Sequence, residues 1–160
     1  MSVDMFLKIE GVEGEAVDHK HGKEIDVLAW SWGMSQSGSM HVGGGGGAGK
    51  VAVQDISITK YVDKSSPNLI NTCCTGKHYP KATITVRKAG DKPVEYYIIT
   101  MTDVLVTSIS TGGSGGEDRL TENVSLNFAK VEVTYTPQGK DGSAGASVET
   151  GFNIEENIEV

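Results

Sequence analysis

The feature that most constrains this chain is a set of long strand-like segments with apolar residues on both faces. Residues 94–110 read VEYYIITMTDVLVTSIS and are apolar on both faces near their start. In residues 121–137 (TENVSLNFAKVEVTYTP) the apolar residues occupy even positions up to Phe128 and odd positions from Val131. A sheet with one solvated face would alternate strictly. These strands therefore need cover on both sides, either from a second sheet in a sandwich or barrel or from neighbouring subunits.

Most of the remaining chain is also typical of strands. The apolar positions of residues 51–62 change phase between Val53 and Ile56, which indicates a bulge or a change of partner. One helix is predicted over 66–75, with Ser66 as the N-cap, Pro67 at the first helical position and Gly76 ending it. The sequence predicts a mainly β fold in one domain (1–160): a squat barrel of two antiparallel or mixed sheets with one short flanking helix.

A glycine-rich stretch within residues 35–50 matches part of the sequence motif of a nucleotide-binding P-loop. Counted from Gly44, it satisfies G-x-x-x-x-G-K, with Lys50 as the lysine. A P-loop needs Ser or Thr next and then a helix, but Val51 and a strand-like segment follow. We therefore expect an extended surface loop without a bound phosphate, ordered only where a partner surface holds it.

The segment EIDVLAWSWGM has two very different faces. Leu28, Trp30, Trp32 and Met34 share one face, which we expect to lie in the core because tryptophan buries much area. The other face carries Ile25 and Val27 and then only small residues. Those small residues are Ala29, Ser31 and Gly33. They form either a smooth solvent face or a surface that meets another chain.

The composition excludes several classes of function. The formal net charge is −7 and the pI is about 5.0, which argues against binding nucleic acid or anionic membrane surfaces. Cys73 and Cys74 are adjacent and the only cysteines, so we expect folding in a reducing compartment and interpret both as small buried hydrophobic residues. The first residues resemble no secretory leader and no stretch is long enough to span a membrane, so membrane insertion is not expected.

No catalytic or cofactor site is predicted. His19 and His21 would share a face of an extended segment, but no third ligand has metal-site spacing, and we expect both to be solvated. Glu117 and Asp118 lie beside Arg119 before a strand, which favours a local ion pair or turn over acid–base catalysis. We expect no enzyme activity and no cofactor.

Several longer stretches together resemble the haemolysin-coregulated protein (Hcp) family. They include VDMFLKIEGVEGE, EIDVLAWSWGMSQSGSMHVGGGGGAGKV, DISITKYVDKSSPNLI, GKHYPKATITVRKAG and the segment from EYYIITMTDVL to KVEVTY. The resemblance covers nearly the whole chain and keeps the order of the family. It implies a homohexameric ring, and stacked rings that form the inner tube of the bacterial type VI secretion system. It also implies a VgrG-type spike protein, a contractile sheath, and small effector proteins carried in the lumen.

The resemblance also gives the loops and the small-residue face an expected role. The glycine loop would reach a neighbouring subunit or ring through His41, Val42, Gly43, Gly44, Gly45, Gly46, Gly47 and Lys50. A second loop, 111–118, would do the same or form a plain turn; its candidate residues are Gly112, Gly113, Glu117 and Asp118. Ala29, Ser31 and Gly33 would face the lumen and contact cargo, or would let another strand or subunit approach closely.

The resemblance places the protein in the cytoplasm before assembly and outside the cell afterwards, without a cleavable leader. The chain would be a tube subunit without a C-terminal effector extension. Two other classes stay open on the residues alone: a monomeric or dimeric β-barrel that binds a small ligand, and a nucleotide-binding enzyme that uses residues 44–50. The mass in solution separates a hexameric ring protein from both of these alternatives.

Overall fold

The computed structural model of the protein describes residues 2–38, 49–88, 90 and 93–160. Eleven described strands and one helix follow each other along the chain. Their bounds are β1 Val3–Ile9, β2 Ile25–Asp26, β3 Ala29–Ser31, β4 Met34–Ser35, β5 Ala52–Val53, β6 Ile56–Tyr61, α1 Ser66–Thr75, β7 His78–Lys88, β8 Glu95–Thr111, β9 Thr121–Tyr135, β10 Val148–Asn153 and β11 Ile158–Glu159. The prediction of a mainly β fold with one short helix is confirmed.

The strands form one large antiparallel sheet and a small two-stranded one. The main order is β11-β10-β9-β8-β7-β1-β2; β6 pairs with the first half of β9, and β3 pairs with β6. The small sheet contains β4 and β5. The phase change between Val53 and Ile56 is therefore a change of partner, as predicted, because β5 pairs with β4 whereas β6 pairs with β3 and β9.

The sheets do not close into a barrel, but the segment that joins β2 to β3 spans the gap. The Val27 amide donates a hydrogen bond to the Met5 carbonyl (3.0 Å), and the Leu28 amide donates one to the Thr59 carbonyl (2.8 Å). The chain thus crosses from the edge of β1 to the edge of β6. The two ends of the sheet are held together by this crossing rather than by a continuous ladder.

The crossing also explains why the core face predicted for the segment EIDVLAWSWGM is only partly right. Ile25 and Val27 are buried before it, whereas Trp30 and Trp32 pack against the core after it. The buried positions change from odd to even at the crossing. Leu28 (40 % exposed) and Met34 (52 % exposed) were predicted to be buried with the tryptophans but are exposed.

The long β8–β9 hairpin reverses its buried face halfway along. Met101 pairs with Val131 and both are buried; three residues further along β8, Val104 pairs with Phe128 and both are again buried. Between them Asp103 has a φ of 56°, a left-handed backbone that few residues other than glycine adopt. The reversal predicted from the apolar pattern is therefore real, and the two halves of the hairpin expose opposite faces.

Helix α1 has the predicted bounds but a different cap. Ser65 is the N-cap and Gly76 ends the helix with a φ of 73°. Ser66, predicted as the cap, lies inside the helix and its hydroxyl is buried. Leu69 faces the core, but Cys74 is exposed and Cys73 is half-buried, so the expectation of two buried cysteines is wrong for Cys74.

Candidate functional site

The small residues of β3 lie on the side of the strand that faces away from the core. Ala29 and Ser31 are exposed, whereas Trp30 between them packs against the core and stacks on Tyr97. Gly33 differs, because a Cβ atom there would lie 3.3 Å from the Gln54 side-chain oxygen. Ala29 and Ser31 therefore belong to an open face, and Gly33 lies where two segments approach closely.

Ser31 begins a row of serines that crosses four strands. It pairs with Ser57 on β6, Ser57 pairs with Ser125 on β9, and Ser125 pairs with Ser108 on β8. Directly paired residues project on the same side of a sheet. The four hydroxyls therefore form a continuous line on the face opposite the core.

A second row runs beside the serines. Ala29 pairs with Thr59, Thr59 with Asn123, and Asn123 with Ser110. The Thr59 hydroxyl donates a 2.7 Å hydrogen bond to the Asn123 side-chain oxygen. We call the eight residues of the two rows the small polar face; they are Ala29, Ser31, Ser57, Thr59, Ser108, Ser110, Asn123 and Ser125.

The end of the small polar face is fixed by a bulge in β8. The register shifts between Val106 and Ser108, which leaves Thr107 as the extra residue. Its hydroxyl donates to a carboxylate oxygen of Asp55 (2.6 Å), and the Asn127 amide donates to the other oxygen (2.8 Å). Both oxygens of this neighbouring carboxylate are therefore occupied by hydrogen bonds to Thr107 and Asn127.

The second predicted loop borders the same face. Residues 112–120 connect β8 to β9 and are exposed, including Gly112, Gly113, Glu117 and Asp118. Ser110 and Asn123 of the small polar face share a shallow polar cavity of about 380 Å³ with this loop. The structure thus places the second loop at the border of the face that also carries Ala29 and Ser31, which lie far from the loop in the sequence.

Only the end of the glycine loop lies within the described residues, and its predicted contact with a neighbouring subunit or ring stays a prediction. His41, Val42 and Gly43–Gly47 lie outside the described residues. Lys50 is exposed, and the elements after it are the strands β5 and β6 rather than a helix. The helix N-terminus that a P-loop requires is therefore missing after Lys50.

The small polar face offers hydrogen bonds but little chemistry. Its side chains are hydroxyls, one amide and a methyl group, with no base aimed at any hydroxyl. Within the described ranges, no group of three or more His, Cys, Asp and Glu residues could hold a metal ion. This arrangement suits repeated weak contacts with a polar surface.

A buried ion pair was missed from the sequence. The Lys60 ammonium lies 2.5 Å from Glu122 Oε1 and 3.1 Å from Asp63 Oδ1, and the Lys60 and Glu122 side chains are fully buried. The Ser66 hydroxyl also donates to Glu122, which fastens α1 to the sheet. The alternation of apolar residues could have revealed this pair. Lys60 continues the series Ile56 and Ile58, and Glu122 precedes the series Val124 and Leu126, so both lie at positions that face the core.

A second ion pair holds the segment between β1 and β2. Arg87 on β7 donates to both carboxylate oxygens of Asp18 and contacts Asp4. Hydrogen bonding to Arg87 lowers the pKa of Asp18 to about 2. His21 in the same segment is buried, so its predicted solvation is wrong.

An apolar groove of about 690 Å³ lies away from the small polar face. Trp32, Tyr97, Val133 and Phe152 are among the residues that line it. Tyr135 and Val148, which pair on neighbouring strands beside it, are both exposed. Such a concentration of exposed apolar side chains is typical of a surface that contacts another molecule.

No helix in the part of the chain that the structure describes has the length and apolarity that a membrane crossing needs.

Comparison with known proteins gives consistent matches along the chain. The family model described as "Type VI secretion system effector, Hcp" matches residues 6–135. Protein hcp1 of Pseudomonas aeruginosa is 66 % identical over 161 residues, with 99 % of each chain covered. The crystal structure of Hcp1 from Salmonella typhimurium is 40 % identical with a TM-score of 0.84 and covers 100 % of both chains. A solved type six secretion system protein is 31 % identical with a TM-score of 0.93, covering 99 % of this chain and 100 % of its own.

Proposed function

We propose that this chain, which belongs to the Hcp family of type VI secretion proteins, is a structural subunit of the secretion tube. Six copies close into a ring, rings stack into the inner tube, and small effector proteins travel in the lumen. The family consists of secreted structural proteins rather than enzymes, and no catalysis is part of the proposed function.

The small polar face carries this proposal. It spans four strands, and the bulky apolar residues of those strands point the other way into the core. A lumen wall has to touch many cargo surfaces without trapping any of them. Short hydroxyl side chains serve this purpose because each one makes a hydrogen bond of modest net strength, about 0.5–1.5 kcal/mol.

The apolar surface supports closure of copies into a ring. The side chains of Met34, Tyr135 and Val148 are exposed at or near the apolar groove, and exposed apolar patches of this kind are typical of surfaces that contact another protein. Heterologous contacts that close make rings, and the two open faces of a ring allow stacking. The spike and the sheath would then contact the end and the outside of the stacked rings.

A small-ligand-binding protein remains the second candidate because of the groove. Its volume of about 690 Å³ lies within the range of ligand sites. The mass in solution decides between the two functions. Ultracentrifugation at micromolar concentration should give six subunits and electron microscopy should show annular particles, whereas a stable monomer or dimer would contradict the tube proposal.

Cargo contact is tested by Ser31→Gln. The longer side chain should leave rings intact and change the retention of effectors in pull-down experiments. Thr75→Gln, at an exposed position at the end of α1, is the matched control and should change neither. Loss of rings in Ser31→Gln would instead place Ser31 at an interface.

The glycine loop is tested by removing Gly43–Gly47. We expect stacking into tubes to weaken more than ring formation. Equal loss of both would make it an element within the ring. A saturable binding of ATP and magnesium that Lys50→Ala abolishes would favour the nucleotide-binding alternative.

A further inference from the structure

His21 lies between two carboxylates in a buried position. Its Nδ1 atom is 2.9 Å from a carboxylate oxygen of Glu24, and its Nε2 atom is 2.7 Å from one of Glu95. Glu24 belongs to the same segment as His21, whereas Glu95 begins β8. The imidazole therefore ties the segment between β1 and β2 to a strand 74 positions further along the chain.

The two contacts together require a particular protonation state. Ionised carboxylates only accept hydrogen bonds, and a neutral imidazole has a single N–H. Both contacts are hydrogen bonds only when both ring nitrogens carry a proton. The ring cannot easily turn away from either partner, because it stacks on Phe6 at a centroid distance of 4.4 Å and an angle of 11°.

The charged groups around this site are mainly carboxylates. On its own segment His21 faces Glu24 and lies near Asp18, which accepts a hydrogen bond from the His21 backbone. Glu95 approaches from β8. From β7, the Arg87 guanidinium lies 5.0 Å from the centroid of Phe6, the ring on which His21 stacks, and it pairs with Asp18 and with Asp4 of β1. Arg87 thus already has two carboxylate partners, which leaves Glu24 and Glu95 to pair with His21.

We propose that His21 is a proton-dependent latch on residues 13–24. With both nitrogens protonated, His21 bonds Glu24 and Glu95 and holds the segment against β8. As the pH rises and histidine loses its second proton, one nitrogen presents a lone pair to a carboxylate, and that contact becomes unfavourable. The stabilisation is thus present at low pH and lost as the pH rises. The segment then loosens from β8 while Arg87 still holds Asp18.

The latch is tested by amide hydrogen exchange of residues 13–24 at pH 6 and pH 9, corrected for intrinsic exchange rates. We expect protection to fall roughly ten-fold or more at pH 9, the change that losing one charge-assisted hydrogen bond would produce. His21→Gln should show low protection at both values. His19→Gln, at an exposed position in the same segment, should behave like the wild type.

Glu95→Gln keeps the proposal testable if His21→Gln fails to fold. A glutamine amide can donate to or accept from a neutral imidazole, so protection should become independent of pH in this variant. Nitrogen NMR of the wild type should show both ring nitrogens of His21 protonated at pH 6. A neutral ring at pH 6, or equal protection at both pH values in the wild type, would overturn the latch. These readouts concern one subunit, so they do not depend on whether rings form.

Discussion

The buried Lys60–Glu122 pair allows a stability test with a calculable size. In Lys60→Met, Glu122 loses the ammonium 2.5 Å away and keeps only the hydroxyl of Ser66 as partner for that oxygen; its other oxygen already has no partner in the described structure. Removing one member of a buried ion pair leaves an uncompensated charge and costs about 3–5 kcal/mol. We expect Lys60→Met to lose free energy of unfolding in that range.

Thermal unfolding followed by circular dichroism measures this loss. For a chain of this length, 1 kcal/mol corresponds to roughly 2–4 °C, so the unfolding temperature should fall by about 6–20 °C. All variants are compared at one protein concentration, because association raises apparent stability. Lys130→Met is the matched control: its partner Glu132 is 3.1 Å away but both side chains are partly exposed. It should cost about 0–1 kcal/mol.

A double variant separates loss of charge balance from loss of packing. Lys60→Met with Glu122→Leu removes both charges of the pair, while Asp63 keeps its hydrogen bonds from Ser65. Replacing a buried ion pair in this way is often neutral or stabilising. We expect it to recover most of the lost stability, even where Lys60→Met alone does not fold. The reasoning is refuted if Lys60→Met costs no more than Lys130→Met, or if the double variant is as unstable as the single one.

Three further predictions concern individual backbone and charge positions. Because Arg87 lowers the pKa of Asp18 to about 2, the pair stabilises the fold above pH 3.8 and loses this contribution as the pH falls towards 2; acid unfolding of Asp18→Asn should lack that step. Gly14→Ala would push a Cβ atom into the Glu24 carbonyl, so a urea titration should show a loss of about 1–3 kcal/mol, whereas Gly112→Ala has open space and should be neutral. Asp103→Val should cost about 1–2 kcal/mol at its φ of 56°, and Asp103→Gly should cost nothing, as measured in the same titration.

Local patterns in the sequence predicted the strands, the helix and the reversal of the β8–β9 face. These features depend on alternation and on residues such as Pro67 and Gly76, which act over a few positions. The exposed side of Ala29 and Ser31 was predicted in the same way. The error at Leu28 arose because the crossing from β1 to β6 depends on two distant partners, Met5 and Thr59.

The extent of the small polar face could not be predicted. It depends on the registers that align Ser31 with Ser57, Ser125 and Ser108, and the last alignment requires the bulge at Thr107. The burial of His21 was missed for a similar reason, since Glu95 approaches from a strand far along the chain.

The length of the β8–β9 hairpin has a mechanical consequence. The two strands stay paired on both sides of the reversal at Asp103 and of the bulge at Thr107, from Tyr97–Tyr135 at one end to Thr111–Glu122 at the other. A force applied along these strands would have to shear many backbone hydrogen bonds at once rather than open them one by one. The two differently lined flanks of the hairpin are therefore held in a fixed relation to each other by one backbone ladder.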